Sequence, residues 1–188
     1  MIDEVCRNSG ISRQQLDAVA FGCGPGSFTG VRIAAAAVQG IALAFDIPVL
    51  PVGSSEVLAQ AWLKKTTSKA ESDHTLLTSI RSRAELYYLA SFRVEQGDMT
   101  RLVPDALFVD AAACAMLETD LEKCACIGAQ PEWWQGPSFD DGFQATAEDV
   151  AIIARQRFAN GEGVDAAAAL PVYVNGDSPW RRTSKASA

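Results

Sequence analysis

The residues whose types and spacing suggest chemistry lie in one short run, Gly22-Cys-Gly-Pro-Gly-Ser-Phe-Thr-Gly30, followed by Val31 and Arg32. A glycine-rich turn between a strand and a helix N-terminus leaves backbone N–H groups unpaired at the positive end of the helix dipole, which makes an anion site. Gly24, Gly26 and Gly30 would shape the turn, while Ser27 and Thr29 add hydroxyls that cap the helix or touch a phosphate. Arg32 opposes the dipole near the helix start and so needs a partner, either a carboxylate or a bound phosphate. The specific phosphate motifs fail when counted. A Walker loop needs Gly-Lys-Ser/Thr where Gly30 is followed by Val31, and the dinucleotide fingerprint would need its last glycine at Ser27 or Thr29. A nucleophile elbow around Ser27 lacks its outer glycines. The same residues also read without a ligand, the glycines supplying positive φ and Thr29 acting as N-cap. The residues alone leave both readings open.

Elsewhere the chemistry is limited by composition. The lone histidine, His74, cannot supply the ligand set of a zinc peptidase. Five cysteines, Cys6, Cys23, Cys114, Cys124 and Cys126, form an odd set without paired C-x-x-C motifs, so they read as reduced, mostly buried thiols. A net charge of −7 and a pI near 4.7 give no positive field for direct nucleic-acid binding. With 188 residues, 48% of them hydrophobic, the chain supports one substantial domain or two small lobes. No secretory signal pattern is present, and the longest apolar stretch, Val31 to Phe45, reads as too short for a membrane span and contains Arg32 and Gln39. The expectation is a soluble, cytoplasmic protein with no membrane contact.

The elements that must position the glycine run follow from periodicity. Met1 to Asn8 reads as a helix end stopped by Gly10, Ser12 to Gln15 as a capped turn, and Asp17 to Phe21 as a short buried strand. A helix then runs from the glycine loop to Phe45, ended by Asp46 and Pro48. Val49 to Val52 is the next strand and Ser54 to Lys65 an amphipathic helix, giving a layered α/β order. Lys64 to Asp73 reads as a hinge. Beyond it lie two strands, Thr75 to Ile80 and Glu85 to Val94, joined by Arg81-Ser-Arg83, then a strand between Leu102 and Val109 and a helix from Asp110 to Glu118. Cys124 to Ala129 reads as a strand with both cysteines on one face, and Thr146 caps a helix reaching Ala159 whose Val150, Ile153, Ala154 and Phe158 read as core. Trp133 and Trp134 read as a loop anchored on the core, with a contact surface as the alternative. The expected organisation is a first lobe over residues 1–66, a second over 67–175 and a mobile tail over 176–188.

The helix behind the glycine loop is apolar nearly all round, more than a helix covering one sheet face requires. Ala36, Gly40 and Ala44 fall at intervals of four, a smooth ridge for close helix packing, with Ile33 and Ala37 beside it. A helix of the second lobe or a partner subunit would cover it.

Gly24-Pro-Gly-Ser-Phe-Thr-Gly-Val-Arg32, Gln39-Gly-Ile-Ala-Leu43, Ile47-Pro-Val-Leu-Pro-Val52 and Glu56-Val-Leu-Ala59 together resemble the TsaB (YeaZ) family of tRNA threonylcarbamoyladenosine biosynthesis proteins, related to the glycoproteases. The match thins beyond Gln60 to Glu85-Leu-Tyr87, Pro171-Val-Tyr-Val174 and Trp180. The resemblance implies a two-lobed α/β fold of the actin, sugar-kinase and heat-shock-ATPase type, built on RNase H-like sheets. It implies a non-catalytic subunit that pairs through first-lobe helices with a metal-containing catalytic paralogue, TsaD, joined by the ATPase TsaE. A homodimer forms in their absence, and tRNA is met only through the complex. No cofactor would be held tightly, ATP or ADP lying at the partner interface. Against the family pattern the first lobe is incomplete, its N-terminal strands absent from this sequence, for which a misassigned start at Met1 or a truncated chain is the simpler explanation; were the sequence complete, the Asp17 to Phe21 strand would expose an edge prone to aggregation or strand exchange. Ile80-Arg-Ser82 replaces the family's Asp-Ala-Arg and Asn175 its usual arginine, which removes groups that could meet a nucleotide. The alternative is an independent ATP-binding phosphotransferase-like enzyme of the same superfamily, which would need carboxylates for Mg²⁺. A peptidase is disfavoured by the single histidine.

Overall fold

The computed structural model describes residues 2–66, 74–83, 85–95, 98–111, 117 and 124–174. Helix α1 (Ile2–Ser9) ends at Gly10, whose φ of 70° reverses the chain, and a single 3₁₀ turn (Arg13–Gln15) follows, Ser12 N donating to Gln15 Oε1 at 2.7 Å. Strand β1 (Val19–Gly24) leads into helix α2 (Phe28–Phe45), strand β2 (Val49–Gly53) and helix α3 (Ser54–Thr66). β1 starts later than expected and runs into the glycine cluster. Gly22 and Gly24 pair in parallel with Val52 and Gly53, so the cluster is half strand and half turn.

The second sheet has the order β5-β4-β3-β6, from β3 (His74–Arg81), β4 (Tyr87–Glu95), β5 (Asp98–Phe108) and β6 (Cys124–Gly128). The β3–β4 hairpin is antiparallel as its sequence anticipates, and β6 joins β3 in parallel. Cys124 and Cys126 both enter the core on one face with Leu77, Tyr87, Leu89 and Trp134. Burial pushes the Cys126 thiol up to about 12, so it stays neutral and inert. Gly128 ends β6 with φ of 99°, and a Cβ there would lie 2.1 Å from the Ser79 carbonyl oxygen, so only glycine fits. Trp134 is buried edge-on against Phe139 and donates to the Pro137 carbonyl at 2.7 Å, while Trp133 donates to the Glu85 carbonyl at 3.0 Å. The pair is anchored on the core. Most of the helix expected over Asp110 to Glu118, residues 67–73 of the hinge, Cys114, Asn175 and the 176–188 tail lie outside the described residues, and Lys64 to Thr66 of the expected hinge are the last residues of α3.

Helix α4 (Ala147–Ala159) does not stay with the second sheet. Its Ile153 and Ala154 pack with Leu50 and Val52 of the first and with Val57 of α3, and Val164 bridges back to Val49 in both directions at 2.9 Å. Ala166 and Ala169 then join α2 and β1 in a separate cluster. The chain thus returns to its first sheet after building its second, because β1 and β2 alone leave two apolar faces to cover. Phe158, expected in the core, is 44% exposed, since the helix face that meets the sheet is narrower than its apolar stripe.

The start of α4 is fixed by charge. Thr146 N and Oγ1 both donate to Asp149 Oδ2, at 2.9 and 2.6 Å, and Lys64 of α3 lies 2.8 Å from Asp149 Oδ1. Burial of this carboxylate works to raise its pKa, but the hydrogen bonds from Lys64 and Thr146 outweigh that and hold it below the usual carboxylate range. The folded protein therefore keeps Asp149 ionised more firmly than the unfolded chain does. Its stabilising contribution is complete above the unfolded value, about 3.9 for an aspartate, and disappears as the pH falls through the lower folded value. Urea unfolding measured from pH 6 down to pH 2 will show this acid loss in the wild type and a flatter profile in Asp149→Asn, which is less stable throughout the upper range.

Candidate functional site

The glycine loop lies where the carboxyl ends of β1 and β2 meet, the position at which open parallel sheets place ligands. The structure moves its cap. Ser27, not Thr29, is the N-cap of α2, its Oγ accepting from Gly30 N at 3.3 Å, because the helix begins two residues earlier than Gly30. Gly24 has φ of 107°, and the segment Leu170 to Val174 is laid against it: Val172 N donates to the Cys23 carbonyl at 2.8 Å, and the Val172 carbonyl oxygen would stand 3.1 Å from a Cβ on Gly24. Gly24 thus permits a close backbone approach by the chain's own later segment. Gly26 completes the turn, and Thr29 lies exposed in the first turn of α2.

Among the described residues Arg32 pairs with no carboxylate. Its guanidinium donates to the Phe28 carbonyl at 2.9 Å and lies 3.2 Å from the Phe28 ring centroid and 4.9 Å from that of Tyr173. Two aromatic faces stand beside it where a carboxylate was one of the two partners its charge suggested. Sequence reading missed this because Phe28 and Tyr173 are 145 residues apart and only the fold brings them together.

The expected interface residues are all at the surface. Ala35, Val38 and Ala42 take the inner side of α2, against Phe21, Cys23, Val49, Ala166 and Ala169. Ile33 is 65% exposed, Leu43 is 75% exposed, and Ala36, Ala37, Gly40 and Ala44 stand open beside them. Nothing lies within 4 Å of where a Cβ on Gly40 would be. Among the described residues no second-lobe helix covers this face, and Leu43 joins it unannounced by the ridge pattern. These side chains leave a continuous apolar row along α2 open among the described residues. At 18 residues with a mean hydropathy of 1.6, α2 also reaches the length and composition of a membrane span, which Val31 to Phe45 was expected to miss. Its inner side is held flat along β1 by the contacts just described.

A second polar group of residues was not anticipated as a site. Behind the loop, Glu56 in the first turn of α3 accepts from Arg157 of α4 at 2.7 and 2.8 Å and from Arg101 of β5 at 3.2 Å. Arg157 also donates to the Pro51 carbonyl, and the Ser55 hydroxyl to Asp105, whose carboxyl is pushed up by burial. Burial likewise raises the Cys23 thiol. These charges satisfy one another, and no group of three His, Cys, Asp or Glu side chains among the described residues is arranged to hold a metal.

A mixed α/β chain of two sheets, with parallel strands feeding a glycine turn and an interposed helix, has the architecture of the actin-like, RNase H-like class. A family model described as "TsaD: tRNA N6-adenosine threonylcarbamoyltransferase" matches residues 1–133. The chain is 29% identical to the tRNA threonylcarbamoyladenosine biosynthesis protein TsaB of Escherichia coli, over 97% of its own length and 80% of that protein's. It is 54% identical to the TsaB of Haemophilus influenzae over a shorter span, 32% of this chain and 26% of that one. Two solved structures from Pseudomonas aeruginosa superpose on it at 30% identity. One, described as an uncharacterized protein with similarity to peptidase YEAZ, has a TM-score of 0.79 over 93% of this chain and 81% of its own. The other, YeaZ, has a TM-score of 0.71 over 93% and 82%. The chain belongs to this TsaD-type, glycoprotease-like family, on its TsaB (YeaZ) side.

The loop geometry carries an expected outcome. Gly24→Ala strains a positive-φ position and pushes on the Val172 carbonyl, so it will destabilise by about 1–3 kcal/mol. Hydrogen exchange will show the Val172 amide losing protection in this variant, while the β3–β4 amides keep theirs.

Proposed function

We propose that this chain is a non-catalytic subunit of the machinery that forms threonylcarbamoyladenosine in tRNA, and that it pairs through the exposed face of α2 with the catalytic paralogue TsaD. The observation that carries the reading is the uncovered apolar face of Ile33, Ala36, Ala37, Gly40, Leu43 and Ala44 on a helix whose other side is already packed. Membership of the family supplies the pathway, and that face supplies the reason for a partner. Small residues at four-residue spacing let a second helix approach closely, so shape rather than charge would set the fit.

The rest of the reading follows from the same features. The ATPase TsaE joins the assembled pair, a homodimer uses the face when TsaD is absent, and ATP or ADP sits at the partner interface rather than in this chain alone. The acidic balance leaves tRNA contact to the partner. The working compartment is the cytoplasm. An independent phosphotransferase draws no support from the loop, where Ser27 caps α2, Val172 lies against Gly24 and Arg32 stacks between two rings. A peptidase is disfavoured by the single histidine and by the way Ser27 is used.

Ala36→Glu tests the pairing. Because Ala36 is exposed, the variant will keep the wild-type melting temperature, and size-exclusion chromatography with light scattering will show the wild type forming a complex with TsaD that the variant does not form. A folded wild type that leaves the TsaD elution mass unchanged, or a variant that binds as well as wild type, would remove the proposal.

A further inference from the structure

Helix α3 packs against both sheets. Val57 faces Leu50 and Val52 of the first, while Leu58, Ala59 and Trp62 face Leu76, Ala90, Phe92 and Ile127 of the second. Such an apolar seam is strong but non-directional, and it tolerates rotation of one sheet about the helix. What gives the junction a direction is the group of charges at the N-terminal end of α3. Glu56 is 14% exposed at its side chain and receives guanidinium groups from two different bodies: Arg157 on α4, which is packed on the first sheet, and Arg101 on β5, the edge of the second. Arg101 also lies 3.7 Å from Asp105, which takes the Ser55 hydroxyl of α3, and Arg157 is tied to the Pro51 carbonyl of β2.

We propose that Glu56 is a shared counter-ion that sets the angle between the two sheets, Arg157 and Arg101 being the two arms of a lock closed on it. Each arm fixes a direction because charge-assisted hydrogen bonds to a carboxylate weaken steeply with misalignment. The lock has three protein bodies and one keystone. Ser55 and Asp105 hold β5 in register with the start of α3, so the second sheet cannot slide along the helix while Arg101 stays paired. Partly exposed ion pairs of this kind add little net stability, and their return is geometry. That asymmetry makes the proposal testable separately from stability.

The experiment places spin labels on non-natural side chains at Arg155, an exposed position of α4, and Arg93, an exposed position of β4, and reads the distance between them in the full chain. The wild type will give one narrow distance distribution. Glu56→Gln will lose it, the distribution broadening or splitting. The triple variant Glu56→Met, Arg101→Met, Arg157→Met will recover the melting temperature that Glu56→Gln loses and will still lack the single narrow distance. A wild-type distribution in Glu56→Gln, or in the triple variant, would overturn the proposal, since neutral contacts or filled volume would then suffice to set the angle.

Discussion

The fold rests on one requirement, that helix α3 be buried on more than one side. Ser55, Val57, Leu58, Ala59, Ala61 and Trp62 are all inaccessible, so a single sheet cannot satisfy this helix. Two sheets must close on it, and everything downstream arranges that closure. The chain builds β1 and β2, lays α3 beside them, builds the second sheet against the other side of α3, then returns as α4 and residues 164–169 to finish the first. Burial of these apolar groups provides the driving force, at about 25 cal/mol per Å².

The same requirement explains why one helix face is left over. α2 lies on the side of the first sheet away from α4, where β1 and the 166–169 segment bury Ala35, Val38 and Ala42, and among the described residues nothing covers Ile33 or Leu43. A helix apolar on all sides but covered on one is stable as a fold and incomplete as a surface. The glycine turn is affected in the opposite way. The chain's return brings the Val172 amide onto the Cys23 carbonyl and the Tyr173 ring to the Arg32 guanidinium, so the loop is braced by a segment far along the chain.

The ion pairs at the two ends of α3 fix positions. Lys64 and Asp149 join the end of α3 to the start of α4, and Glu56, Arg101 and Arg157 join its beginning to both sheets. Both ends of the shared helix are therefore pinned by ion pairs, and its apolar middle carries the burial.

Much of this was legible in the residues. Periodicity and capping gave α1, the 3₁₀ turn, α2, α3, α4 and the β3–β4 hairpin within a few residues, because those signals are local: Thr146 and Asp149 cap α4 as their spacing implies, and Gly10 ends α1. The surface residues of α2 were legible too, since an all-round apolar helix with small residues every fourth position cannot be satisfied by one sheet. The sequence alone therefore determined most of the element types among the described residues, the α/β class, the family and which face of α2 stays exposed. Tertiary structure alone decided that α4 belongs with the first sheet, that Ser27 rather than Thr29 caps α2, that Arg32 stacks on Phe28 and Tyr173, and that Glu56 meets Arg101 and Arg157. Each of these joins residues distant in the chain or chooses between neighbours with equal local preference. Periodicity and capping act over a few residues, whereas a partner 101 positions away is selected only when burial has folded the backbone between them.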